Sequence, residues 1–101
     1  MFKISPAAHD YIEKKGAHIT VYLRELLSMP GKDGAAPKIM MVPTVRLGKP
    51  DDNERPQYVP YEAGNITVWR NANLHPAEKN GVMEIGVEKI LFTRHLTIKG
   101  A

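Results

Sequence analysis

The sequence predicts an α+β fold, mainly antiparallel β, with about six short strands in a small sheet or sandwich and one N-terminal helix. Three observations predict it. A serine-proline start precedes apolar residues at helical spacing near the N-terminus; alternating apolar segments bounded by glycine, proline and asparagine follow; and no later helical stretch separates those segments. Without helical crossovers, antiparallel pairing is the expected mode.

Ser5-Pro6 opens the helix, since serine caps exposed backbone N–H groups and proline is tolerated at the first helical position. The helix is expected from Pro6 to Lys15 with a stop at Gly16. Ala8, Tyr11 and Ile12 make its narrow apolar face, and Lys14 and Lys15 complement the dipole in the last turn. From His18 to Leu27 the pattern alternates, with Ile19, Val21 and Leu23 on one side and Thr20, Tyr22, Arg24 and Leu26 on the other. Ser28 to Pro37 reads as a long surface loop.

A second strand is expected from Ile39 to Leu47, with Ile39, Met41, Val45 and Leu47 inward. Pro43 lacks an N–H donor and argues for an edge position or a bulge. Gly48 to Pro56 is a polar turn region. Tyr58–Tyr61 and Ile66–Arg70 form a hairpin through Gly64-Asn65, with Ile66 and Val68 inward and Thr67 and Trp69 opposite. Asn71 to Asn80 is a second loop, Asn80-Gly81 a turn into Val82–Val87, and Leu91–Lys99 the last strand. Gly86 and Glu88-Lys89 predict a bend or helical turn between those two.

The 101 residues, 43% hydrophobic, suit a single domain over 1–101 with one modest core. No apolar run approaches the roughly 20 residues that span a bilayer, and Met1-Phe2-Lys3-Ile4-Ser5-Pro6 lacks a hydrophobic signal core. The expectation is a cytoplasmic protein without a membrane partner. A net charge of +3 permits weak attraction to phosphate without the dense basic stripe of a dedicated nucleic-acid module. The absence of cysteine excludes disulfides, thiolate nucleophiles and thiolate-held zinc or iron-sulfur clusters.

Ile4-Ser5-Pro6-Ala7-Ala8 with Tyr11-Ile12 and Lys14-Lys15-Gly16, the strand Ile19 to Glu25, and the block Val45-Arg46-Leu47-Gly48-Lys49-Pro50 together resemble HesB-like proteins, most closely the small bacterial group named for a CC/Se motif. Gly64 to Val68 and Leu96 to Gly100 fit the same outline. The resemblance implies a HesB-like domain and a link to iron-sulfur chemistry. It also implies cysteines after the first long strand and near the C-terminus, or a sulfur or selenium pair shortly before Arg46-Leu47-Gly48-Lys49. Here those places read Ser28-Met29-Pro30, Ile98-Lys99-Gly100-Ala101 and Lys38-Ile39-Met40-Met41-Val42. Methionine thioethers are weak, neutral ligands and do not replace thiolates, so no cofactor is expected.

Arg24, Arg46 and Lys49 are the candidate binding residues. Arginines on one outer face of neighbouring strands would suit a small phosphate or carboxylate ligand, and the alternative is cross-strand pairing with Glu25, Glu62 or Glu84. His9, His18, His75 and His95 lack metal-ligand spacing, and no catalytic constellation surrounds His95 beside Arg94, so neither metal nor catalytic residues are assigned. Tyr22, Tyr58, Tyr61 and Trp69 with Arg24, Arg46 and Arg70 are the ingredients of a single-stranded nucleic-acid platform, against a packing role for the same rings. Met29, Met40 and Met41 suit an adaptable partner surface or gap filling, and an exposed edge beside Pro43 invites pairing between subunits. The expectation is thus a non-enzymatic binding or interaction module that self-associates and takes a protein partner or an anionic ligand. Weak RNA or single-stranded DNA binding is the alternative, as is a role in iron-sulfur biogenesis without carrying a cluster. Enzyme action ranks last.

Overall fold

A computed structural model describes residues 1–27, 34, 36–78 and 81–101. The element order is β1 (Phe2–Ile4), α1 (Pro6–Lys14), β2 (His18–Leu27), β3 (Ile39–Leu47), a 3-10 turn (Arg55–Gln57), β4 (Tyr58–Ala63), β5 (Ile66–Asn71), β6 (Met83–Ile90) and β7 (Thr93–Lys99). The strands make a three-stranded sheet, β1-β6-β7, and a four-stranded sheet, β3-β2-β5-β4. One helix and mostly strand structure fit the α+β class.

Antiparallel pairing does not hold throughout. β1 runs parallel to β6 and β2 parallel to β5, so both sheets are mixed. Parallel neighbours need a long connection, and here β3, the 48–57 segment with its 3-10 turn, and β4 intervene between β2 and β5. β1 is an additional strand at the N-terminus, three residues long and too short to carry an alternation signal. Gly86 interrupts nothing, for β6 runs through it, and Leu91 lies in the turn before β7. The expected Ser28–Pro37 loop and Asn80-Gly81 turn fall partly, and Met29 wholly, outside the described residues.

The helix boundaries follow from local chemistry. Ser5 caps α1, its Oγ accepting from the Ala8 N–H at 3.2 Å, and Pro6 occupies the first turn. Beyond Lys15, Gly16 (φ 108°) and Ala17 (φ 64°) turn left-handed, and the Ala17 N–H returns to the Ile12 carbonyl at 2.9 Å. This bond points the chain into β2. Between β4 and β5, Gly64 alone takes positive φ (62°) in the two-residue turn with Asn65.

The core lies between the two sheets. Ile19 and Val21 from β2, Ile66 and Val68 from β5, and Met83 and Ile85 from β6 are buried, with Ala8 and Ile12 of α1 among them. Phe2 joins the sheets at one edge, its ring 5.5 Å from that of Tyr61. Arg70 organises the loop after β5. Its Nη1 donates to the carbonyls of Asn71 (3.3 Å) and Leu74 (2.8 Å), and Leu74 enters the core.

β3 and β4 are the opposite edges of the larger sheet, so the connection between them must cross a sheet face. It crosses the outer one. Gly48 (φ 97°) reverses the chain, its carbonyl accepts from the Thr20 hydroxyl at 2.8 Å, and Pro50 and Thr20 become buried. Farther along, the Arg55 guanidinium lies 5.8 Å from the Trp69 ring centroid and pairs with Asp52 at 2.8 Å.

Ile12 is fully buried where α1 meets the sheets. Ile12→Ala is expected to lower unfolding free energy by about 2–5 kcal/mol through lost burial and the cavity left behind. Urea denaturation followed by circular dichroism measures it.

Candidate functional site

The register of β2 with its neighbours decides where surface chemistry can gather. β5 pairs only with His18–Val21, whereas β3 pairs with β2 along its whole length, from Ile19 opposite Leu47 to Leu27 opposite Ile39. Tyr22–Leu27 and Ile39–Thr44 therefore extend as a two-stranded arm, six residues or about 20 Å beyond the shared part of the sheet. The molecule measures 50 × 36 × 29 Å with a radius of gyration of 15.2 Å. A compact chain of this length would have about 13 Å, so the molecule is elongated.

Leu23, Glu25, Leu27, Ile39, Met41 and Pro43 lie on the side of the arm that continues the core face of the sheet, so one carboxylate interrupts its apolar residues. In the body that face is covered by the smaller sheet and α1, and Leu23 at the base of the arm still packs against the core; farther out its apolar side chains are exposed. Leu27 is 74% exposed, Ile39 64% and Met41 50%. On the other side Leu26 and Met40 are also exposed. Ile39 and Met41 thus have the inward parity expected of them but no interior to enter. Pro43 sits on an edge strand, as its missing donor requires.

Arg24 and Arg46 share the outer face, since Thr20 pairs with Arg46 and Arg24 with Val42. They stand four residues apart along β2, a backbone spacing of about 13 Å. Lys49 is exposed beyond the end of β3. Arg46 instead joins Tyr11, Arg94, His95 and Leu96 around a shallow cleft between β3, β7 and α1.

The aromatic residues divide between faces. Tyr61 points inward against Phe2, Trp69 outward under Arg55. The Trp69 Nε1–H donates to Nδ1 of His18 at 3.2 Å, and Arg70 is engaged with carbonyls. These groups hold the fold together at the places where a platform would need them open. Of the histidines, His9 contacts Glu13 at 3.0 Å, His18 accepts from Trp69, and His75 and His95 are exposed on separate elements. Among the described residues no three His, Asp or Glu side chains gather as metal ligands.

The sequence profile of the CC/Se motif containing family matches residues 1–101. The chain belongs to that family. As a member of the CC/Se motif family it has no cysteine, and the Lys38–Val42 segment in which the resemblance places the sulfur or selenium pair lies at and beside the outer part of β3, on the arm. No curated protein and no solved structure shows significant similarity to the chain.

Two features escaped the sequence pattern: the projection of the arm, which depends on β5 being shorter than β2, and the exposed turn between β6 and β7. The apolar pair Leu26-Leu27 was a usable signal for the first, because it breaks the alternation at the strand end.

Arg70 and Arg24 offer a contrast between structural and surface arginines. Arg70→Ala is expected to cost about 1–3 kcal/mol, since two carbonyls lose a charged donor. Arg24→Ala is expected to stay within about 0.5 kcal/mol. Chemical denaturation of both variants checks the difference.

Proposed function

We propose that this chain is a non-enzymatic interaction module that self-associates through the β2–β3 arm. One observation carries the reading: the core face of the sheet continues along the arm, with Leu27, Ile39 and Met41 exposed around Glu25. Isolated two-stranded ribbons are marginal in water, and exposed edge strands with apolar side chains pair with other chains. A second copy is the fitting partner. Placed across a two-fold axis, each arm lays its Leu27, Ile39 and Met41 face on the same residues of the other. Leu27, Ile39 and Met41 would become buried, with methionine adapting to the packed interface.

The wider HesB-like relationship, a cytoplasmic setting and an indirect connection to iron-sulfur biogenesis belong to the same proposal and rest on the resemblance of Val45–Pro50 and the N-terminal segment. Methionine at 40 and 41, where that resemblance expects a sulfur or selenium pair, supports contact rather than thiolate ligation at this end of the arm. Nucleic-acid binding has less support, because Trp69 and Arg70 are committed to internal contacts.

Sedimentation equilibrium across a concentration series tests the reading. The wild-type chain is expected to form dimers, and an Ile39→Asp, Met41→Asp double variant is expected to dissociate at least about tenfold more readily, equivalent to about 1.4 kcal/mol. Because both side chains are exposed in the monomer, its secondary structure should be unchanged. A wild-type chain that stays monomeric, or a variant that assembles as the wild type does, would overturn the assignment.

A further inference from the structure

The β6–β7 hairpin ends in a feature that folding alone does not favour. Ile90 pairs with Thr93, leaving Leu91-Phe92 as a two-residue turn. Leu91 adopts φ 56°, a left-handed conformation that favours glycine or asparagine and is strained for a bulky side chain. Its side chain gains no burial in return. Leu91 is 84% exposed, Phe92 100% and Ile90 54%, so three consecutive apolar residues form the tip.

Immediately behind the tip, Lys89 stands directly opposite Arg94. Like charges in that position repel across a strand pair. Both lie on the side of the hairpin that continues the core face, where Val87 and Leu96 precede them. With Tyr11, Lys14, Lys15, Phe92 and Thr93 they line an open cleft of about 600 Å³. The Arg94 guanidinium lies 5.8 Å from the Tyr11 ring centroid, which holds it over the helix. One acidic group offsets part of this charge: Asp10 pairs with Lys14 at 3.1 Å and lines an adjoining cleft with Lys89 and Arg94, which leaves an excess of positive charge, while Glu13 contacts His9 and Glu88 has the opposite parity on β6, facing His95.

A strained Leu91 without burial in return, a fully bare Phe92 and facing cations meet in one place, and a single occupant would bury the two side chains and supply anions to the cations. We propose that the β6–β7 tip and the Lys14, Lys15, Lys89, Arg94 cluster dock this protein on the surface of an anionic lipid bilayer. Ile90, Leu91 and Phe92 enter the headgroup–acyl boundary while the four cations meet lipid phosphates just above it. The charge is complementary to such a surface, and apolar contact combined with a basic cluster provides the two signals that peripheral attachment requires. A nucleic acid fits less well, because aliphatic Ile90 and Leu91 offer no ring on which a base can stack. This attachment differs from a membrane span; no described helix is long and apolar enough to cross a bilayer. It revises the sequence expectation that no membrane is engaged, and it is independent of the arm.

The test is cosedimentation of the full chain with phosphatidylcholine vesicles, with and without phosphatidylglycerol, at low and high salt. Binding to the anionic vesicles is expected, at least about tenfold weaker to neutral ones and weakened by salt. The variant Leu91→Gly, Phe92→Asn places favoured residues in the turn; it should bind at least about tenfold less while melting at the same or a higher temperature. Lys15→Gln with Lys89→Gln should lose the preference for anionic lipid. In Phe92→Trp, brominated lipid should quench the new indole beyond any effect on Trp69 in the wild type. No binding to anionic vesicles at low salt, or a tip variant that binds as the wild type does, overturns the proposal. Phe92-dependent binding of a fluorescent oligothymidine without vesicle binding would overturn it in favour of a nucleic-acid partner.

Discussion

Burial of the central strand pair governs this structure. Ile19 and Val21 of β2 lie beside Ile66 and Val68 of β5, and their common face closes against Met83, Ile85 and the helix residues Ala8 and Ile12. Every other placement follows from that closure. The parallel pairing of β2 with β5 forces the intervening chain to travel from one edge of the sheet to the other. The route across the outer face buries Thr20 and Pro50 and lays Arg55 over Trp69. Backbone polar groups remain bonded along this route because Gly48 exchanges hydrogen bonds with both His18 and Thr20.

The same closure also sets where the interior ends. The smaller sheet and α1 cover the part of the larger sheet that includes β5, while β2 and β3 continue outward with Leu27, Ile39 and Met41 on the same face as the core residues and Glu25 among them. The parity that makes Leu23, Val45 and Leu47 useful to the core makes Leu27, Ile39 and Met41 a liability in a lone chain. A hydrophobic face is neutral about what covers it, since dispersion and water release do not distinguish intramolecular from intermolecular burial. An arm of this kind is therefore the natural place for a partner.

The two exposed apolar regions differ in chemistry. The arm is broad, continuous with the core face and carries Arg24 and Glu25 among its apolar groups, a composition suited to another protein surface. The β6–β7 tip is narrow, convex and backed by cations, with a strained residue at its apex. Convex apolar tips lack the flat area needed for a stable protein interface, whereas a fluid surface conforms to them.

Residue pattern by itself determined the helix with its Ser5 cap and Gly16 stop, the alternation of β2, the edge character of β3 at Pro43, the β4–β5 hairpin and the exclusion of thiolate chemistry. Each of these depends on neighbours within a few residues, where spacing and side-chain type express the physics directly. The tertiary structure decided the parallel pairings, the crossing of the outer face and the projection of the arm. It also set Lys89 opposite Arg94 and brought Lys14 and Lys15 to the same cleft. Those outcomes depend on contacts between residues tens of positions apart, chosen by which apolar faces can close over one another, and alternation along a single strand carries parity but no address for its partner.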